Sequence, residues 1–280
     1  MRVATFNIEG ASHTGSWQSR AKKSAHMVLS RHVDVIGFQE MQTPQRDYFK
    51  HHLHGYDNYP TGQSDAGHRI ENSIFWNTSE YQLIGSGIQK APRLEYFCGQ
   101  DLDAPWVELQ DKQTGQKFFV LNTHDPAYAP GPNNCSTAGG TGSPAYGRYI
   151  DAKRHVAFMR SLPKNVPVVY TGDFNGGYTK EPNGNATAYQ DKNKYLGYCV
   201  MVGSGVVRDA YDVYKNRSYQ CPNPKPAADV TYGGGDGIDH VYLTPGIQVD
   251  GWVRTAVGEH RDGSDHPMQA FDISIPASFR

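Results

Sequence analysis

A chain of 280 residues, 38% of them hydrophobic, is long enough for one large domain or two small ones and apolar enough for a sizeable core. A formal net charge of −1 excludes a protein that holds nucleic acid mainly by bulk charge, so an anionic substrate must be met by local groups or by a metal ion. No run of 18 apolar residues is present, which excludes a transmembrane helix, while 30 Gly and 17 Pro predict long loops.

In chain order, residues 2–8 read as a first strand that begins at once, so no signal peptide is expected on this sequence. Residues 17–31 read as a helix with Ser16 as N-cap and Ala21, Ala25, Val28 and Leu29 on one face. The apolar run from Val33 to Phe38 is the next strand, followed by Glu40. Residues 43–53 suit a helix with Thr43 capping and Pro44 in its first turn. Ser73–Trp76 and Tyr81–Ile84 are strand-like, and Trp106–Leu109 and Lys117–Leu121 flank a Thr114-Gly115 turn as a hairpin. A helix over 146–162 and strands over 166–171, 238–243, 247–254 and 268–275 complete the set. Apolar runs without alternation imply sheets covered on both faces, which two packed sheets with helices outside would provide. No repeat or linker interrupts the chain, so residues 1–280 form a single domain.

Three long polar segments, 126–147, 176–197 and 215–237, each abut a residue with chemical potential, and long loops of this kind are often functional. The cysteines, Cys98, Cys135, Cys199 and Cys221, form no CxxC pair; Cys199–Cys221 with Cys98–Cys135 is the expected pairing. Cysteines in or near loops favour an oxidising compartment, secreted or periplasmic, with the cytoplasm as the alternative. Asn-x-Ser/Thr sites at Asn77, Asn134, Asn185 and Asn216 carry little weight, because such triplets arise often by chance.

Polar groups end the apolar runs. Asp173 and Asn175, in Gly172-Asp173-Phe174-Asn175, place a carboxylate and an amide two residues apart at a strand end, where Asp could take a proton from water and Asn could hold a phosphate oxygen. Glu40 is a hard oxygen donor suited to Mg²⁺ or Mn²⁺, and Asn7 could add an oxygen ligand or orient one. His124 could donate to a phosphate oxygen or protonate a leaving group, with Glu71 as its orienting partner. Asp239 with His266 would form a tuned base, leaving Asp265 near the metal.

Taken in order, Thr5-Phe6-Asn7, Phe38-Gln39-Glu40, Asn122-Thr123-His124, Gly172-Asp173-Phe174-Asn175, Ile238-Asp239-His240 and Ser264-Asp265-His266 resemble the signature segments of the endonuclease/exonuclease/phosphatase superfamily, whose fold is deoxyribonuclease I-like. The resemblance implies a four-layer α/β sandwich, two packed mixed β-sheets with helices outside, and hydrolysis of a phosphate ester with a divalent metal: Mg²⁺ or Mn²⁺, with Ca²⁺ as a further candidate. It implies Glu40 as principal metal ligand with Asn7 and Asp265 contributing. His124, Asp173, Asn175 and His266 would surround the phosphate, with Asp239 orienting His266. Two departures stand out: His240 replaces a common Tyr, and Gln100–Pro105 lacks an Arg often found there. The leading expectation is a monomeric nuclease acting on DNA or RNA. Tyr128, Tyr146, Tyr149 and Tyr178 would stack on bases, and Lys22, Lys23, Arg93, Arg148 and Arg154 would reach phosphates. A phospholipid or sphingomyelin phosphodiesterase, an inositol or sugar phosphatase, and a silent binding module are the alternatives.

Overall fold

The computed structural model describes residues 1–13, 15–61, 70–90, 103–125, 144–176, 197–218, 237–255 and 263–279, with 144–147 as backbone only. Arg93, Cys98, Tyr128, Asn134, Cys135, Tyr178, Asn185 and Cys221 therefore lie outside the described residues, as do most of the three long polar segments.

Two six-stranded sheets form the centre. In the first, β1 (Arg2–Asn7), β2 (Val35–Gln39), β3 (Tyr56–Tyr59), β4 (Ser73–Asn77), β11 (Gln248–Arg254) and β12 (Gln269–Ser274) run in the order β11-β12-β1-β2-β4-β3. In the second, β5 (Tyr81–Gln89), β6 (Ala104–Asp111), β7 (Lys117–His124), β8 (Val168–Asp173), β9 (Arg208–Asp209) and β10 (Asp239–Leu243) run in the order β5-β6-β7-β8-β10-β9. Each sheet is antiparallel except for one central parallel pair, β1 with β2 and β7 with β8. Among the described residues the helices are α1 (Trp17–Ser30), α2 (Thr43–His52), α3 (Pro144–Ser161), α4 (Gly197–Gly203) and α5 (Ala210–Tyr214), with a 3₁₀ turn at Ala277–Phe279, and β1 and β2 pack across onto β7, β8 and β10. This is the expected α/β sandwich of two mixed sheets with helices outside.

Strand alternation splits the core in two. On β1 and β2, Ala4, Phe6, Ile36 and Phe38 turn toward α1 and α2, where they meet Ala21, Ala25, Val28, Phe49 and Leu53. Phe38 stacks on Phe49 with centroids 4.9 Å apart and meets Phe75 edge-on at 5.4 Å. Val3 and Val35 turn instead toward the second sheet and join Val107, Leu121, Val169 and Val241. Leu29 does not share the buried face of α1; at 40% exposure it sits at the end of the helix, beyond the apolar stripe. The cap of α2 is Gln42, one residue earlier than expected, and its N–H donates to Gln45 Oε1 at 3.1 Å. The elements β3, β9, α4 and α5 are too short to show a period.

Near one edge the inter-sheet layer becomes polar. Asn122 Nδ2 donates to the Phe38 and Ser73 carbonyls at 2.7 and 3.2 Å, while its Oδ1 accepts from Gln39 Nε2 at 2.7 Å and Thr171 Oγ1 at 3.1 Å. Every hydrogen-bonding site of this buried amide is satisfied, so it joins the sheets without a stranded polar group. Gly37 makes the approach possible: a Cβ there would lie 2.0 Å from Thr171 Oγ1 and 2.4 Å from Asn122 Oδ1.

Candidate active site

Topology gathers the polar strand ends at one edge. Parallel strands end together, so Asn7 and Glu40 leave β1 and β2 side by side, as His124 and Asp173 do from β7 and β8. Antiparallel neighbours deliver their beginnings to the same edge: Asp239 opens β10 opposite Asp173, and Asp265 and His266 lead into β12, whose Gln269 pairs with Thr5. All eight expected site residues therefore meet at one edge of the sandwich.

Asn7 is the hinge between the sheets. Its Nδ2 donates to Glu40 Oε1 at 2.9 Å and to Asp173 Oδ2 at 3.0 Å, while its Oδ1 accepts from the Glu9 N–H at 3.1 Å. That last bond fixes which end of the amide faces the site. Of the two roles its position allowed, orienting the carboxylates is the one displayed, and the ligating oxygen is turned away. Glu40 takes a left-handed backbone, φ 59°, which aims its side chain out of the strand, and the Gly10 N–H reaches Oε2 at 3.2 Å. Burial works against the charge of Glu40, but His124, the Asn7 and Gly10 hydrogen bonds and His13 together hold its carboxyl below its ordinary value.

Asp173 lies at the centre. Its Oδ1 accepts from the Asn175 N–H at 2.9 Å, and its Oδ2 faces His124 Nε2 at 3.5 Å and His266 Nε2 at 3.7 Å. Asn175 adopts φ 47°, and its Nδ2 donates to the Asp125 carbonyl at 2.9 Å. His266 Nδ1 lies 3.1 and 3.0 Å from the two carboxylate oxygens of Asp239. Burial disfavours the imidazolium of His266, yet Asp239 and Asp173 more than compensate and raise it to about 10. The two carboxylates thus favour the charged form of the ring. Ser264 Oγ donates to the Asn7 carbonyl at 2.6 Å and lies 3.3 Å from Asp265 Oδ1, which ties the Asp265-His266 turn to the end of β1. Glu71 is half-buried ahead of β4, with its carbonyl accepting from the Met41 N–H at 3.1 Å.

Three further residues escaped sequence reading. Asp125, one residue past His124, is buried and lies 3.1 Å from His155 Nε2, whose Nδ1 meets the Tyr170 hydroxyl at 2.6 Å. His155 sits on the α3 face, indistinguishable in sequence from a surface position. The third is His240, where a filler was expected. Its ring is buried and reaches Asp209 Oδ2 at 2.7 Å and the Gly176 carbonyl at 3.2 Å. Both nitrogens thus face acceptors; burial opposes the charge, but Asp209 raises the ring above its ordinary value.

Of the residues expected to reach phosphates, Arg148 is buried and Arg154 pairs with the buried Asp151 at 3.0 Å. Tyr149 is half-buried under Lys153, whose Nζ lies 5.2 Å from the ring centroid.

The donor set fits a divalent cation. A single amide bridges two carboxylates at 2.9 and 3.0 Å, a concentration of negative charge that a hard cation offsets. Asp173, Asp239 and His266 also place ligand atoms within 4.8 Å of one another. In that trio, however, His266 Nδ1 is already engaged by Asp239.

Comparison with known proteins accords with this geometry. Residues 4–266 match the model of the Endonuclease/Exonuclease/phosphatase family. The chain belongs to this family. Members of this family are phosphoric ester hydrolases and generally use divalent metals. Sphingomyelinase C 2 of Leptospira interrogans serogroup Icterohaemorrhagiae serovar Lai is 27% identical over 172 residues, 56% of this chain and 26% of that protein. This chain thus spans about a quarter of that relative's length. The mannosyl-6-phosphatase Bt3783 of Bacteroides thetaiotaomicron superposes with a TM-score of 0.66 at 20% identity, covering 98% of this chain and 100% of that one. D. rerio TDP2 complexed with a single-strand DNA product gives 0.68 at 14% identity, covering 98% and 99%. Both solved structures share the fold of this chain, one a sugar phosphatase and the other bound to a DNA product.

Proposed function

We propose that the chain is a divalent-metal-dependent phosphodiesterase whose substrate is DNA or RNA. The observation that carries the reading is the convergence of His124 Nε2 and His266 Nε2 on one oxygen of Asp173, at 3.5 and 3.7 Å, beside Glu40 and Asn7. A diester needs a proton removed from water and a proton or positive charge supplied to an alkoxide, and this arrangement offers both.

Glu40 and Asp265 would hold the cation, oriented by Asn7; bound there, it would supply Lewis-acid stabilisation of phosphate charge. The remaining work falls to the protein's own groups. His266, protonated and held by Asp239, directs Nε2–H at a phosphate oxygen. Asp173 accepts the proton of the attacking water. His124 and Asn175 donate to the oxygens on which charge develops. Glu40→Ala should lower turnover by about 10²-fold or more. EDTA should abolish hydrolysis and Mg²⁺ or Mn²⁺ restore it; full activity in EDTA would remove the metal from the account.

For substrate class, the segments adjoining the site carry the argument. Residues 126–143, which follow His124 and Asp125, contain no Phe, Trp, Leu, Ile, Val or Met, and so offer no aliphatic tip for a lipid surface. Tyrosines at 128, 178, 189, 195, 219 and 232 flank the site in sequence and suit stacking on bases. The sphingomyelinase relative favours a second reading, a phospholipid diester. A panel of plasmid DNA, single-stranded DNA, RNA, sphingomyelin vesicles and sugar phosphates with Mg²⁺ decides between them, and cleavage of neither nucleic acid would overturn the nuclease reading. A secreted or periplasmic setting is supported by Cys199, which is disulfide-bonded to a cysteine outside the described residues.

A further inference from the structure

Glu40 has a neighbour that none of the signature segments contains. His13 Nε2 lies 3.2 Å from Glu40 Oε2, on a segment that crosses directly over the carboxylate. Buried side chains hold that segment in place. Arg20 Nη2 donates to the Glu9 and Gly10 carbonyls at 3.1 and 3.0 Å, and Gln45 Nε2 donates to the Glu9 carbonyl at 3.1 Å. Ser12 and Gln42 are joined twice, by Ser12 N–H to Gln42 Oε1 at 3.0 Å and by Gln42 Nε2 to Ser12 Oγ at 2.8 Å. The His13 N–H closes the turn on the Gly10 carbonyl at 3.0 Å. The ring itself is 53% exposed, so it borders the mouth of the site and no packing interaction requires it there.

The 3.2 Å separation is that of an imidazole–carboxylate pair and also matches two ligands on one ion. Adjacent ligands of an octahedral ion, with bonds of about 2.1–2.2 Å, stand about 3.0 Å apart, and those of a tetrahedral ion with bonds near 2.05 Å about 3.4 Å. The observed 3.2 Å falls between. An ion seated on Glu40 Oε2 thus comes within bonding reach of the imidazole with little movement. Imidazole nitrogen suits first-row transition ions, whereas Mg²⁺ prefers oxygen.

We propose that His13 is an additional metal ligand at the Glu40 centre and biases it from Mg²⁺ toward Mn²⁺, Co²⁺ or Zn²⁺. The proposal rests on the reading of Glu40 as a metal ligand and is independent of the substrate. Calorimetric titration of the full chain with Co²⁺ and with Mg²⁺, in the native protein, His13→Ala, His13→Gln and Glu40→Gln, tests it, with the visible absorption of bound Co²⁺ as a second readout. Both His13 variants should lose about 10-fold or more in Co²⁺ affinity, with Mg²⁺ affinity within about 2-fold and an altered Co²⁺ spectrum. Unchanged Co²⁺ affinity and spectrum in both, with Glu40→Gln still abolishing binding, overturns the role of His13 alone. Unchanged binding of both metals in Glu40→Gln overturns the metal reading of Glu40 and the proposal with it.

Discussion

Two buried His–Asp pairs at the same end of the second sheet show opposite protonation. His266 meets Asp239 at 3.0 Å, and His155 meets Asp125 at 3.1 Å. Yet His266 is raised to about 10, whereas burial, with Arg154 beside it, lowers His155 to about 3. Pairing is common to both, so the surroundings decide. His266 faces a second carboxylate, Asp173, across the site. His155 also has a second carboxylate nearby, Asp151, but burial raises both Asp125 and Asp151 to about 7, and Arg154 and the Tyr170 hydroxyl complete its surroundings. The first pair stores a charged donor where a phosphate would sit. The second is a neutral clasp beneath Asn175, whose amide rests on the Asp125 carbonyl.

Substitution should separate the pairs most sharply. His266→Ala should cut hydrolysis of a diester probe by about 10²-fold or more and also lower the urea midpoint at neutral pH, because the charged ring it removes stabilises the fold and pairs the buried Asp239. His155→Ala should instead leave Asp125 and the Tyr170 hydroxyl each one hydrogen bond short inside the protein and cost about 1–3 kcal/mol of stability. A next, smaller effect concerns the spacing that brings Asp173 within reach of Asn7. Gly37→Ala should lose about 1–3 kcal/mol through overpacking against Thr171 and Asn122, read from urea unfolding. An Ala variant of native stability would show that the sheets separate freely.

The smallest effects are in the pH slopes. His266, with a folded value near 10, contributes stability in full below its unfolded value of about 6.5, and this is lost as pH rises through about 10. His155 has the opposite sign: stability rises between about pH 3 and 6.5, as the unfolded chain gives up its proton. Asp125, raised to about 7, loses stability as pH rises from about 4 to 7 and partly cancels that rise. His155→Gln should therefore make stability fall more steeply with pH across that window than in the native protein. An unchanged slope would deny the clasp its neutral form.

Much of this site was legible in the sequence because it is built from strand ends, and strand ends are where an apolar run stops. Asn7, Glu40, His124, Asp173, Asp239 and His266 all announce themselves that way. What stayed hidden depends on three dimensions. Nothing local distinguishes Asn122 as the clip between sheets or His155 as a buried partner, since both take their meaning from strands distant in sequence. His13 lies in a polar turn and gains significance only once β1 and β2 set it over Glu40. The second carboxylate facing His266, that of Asp173, becomes visible only when the two sheets are closed together.

The most direct test is an NMR titration of the histidine rings in the metal-free protein, with His266 and His155 assigned through His266→Gln and His155→Gln. His266 should remain protonated through neutrality and titrate near pH 10, and His155 should remain neutral down to about pH 3. If both rings titrate together near 6.5, the two pairs are equivalent and the assignment of His266 as the charged donor to phosphate is wrong.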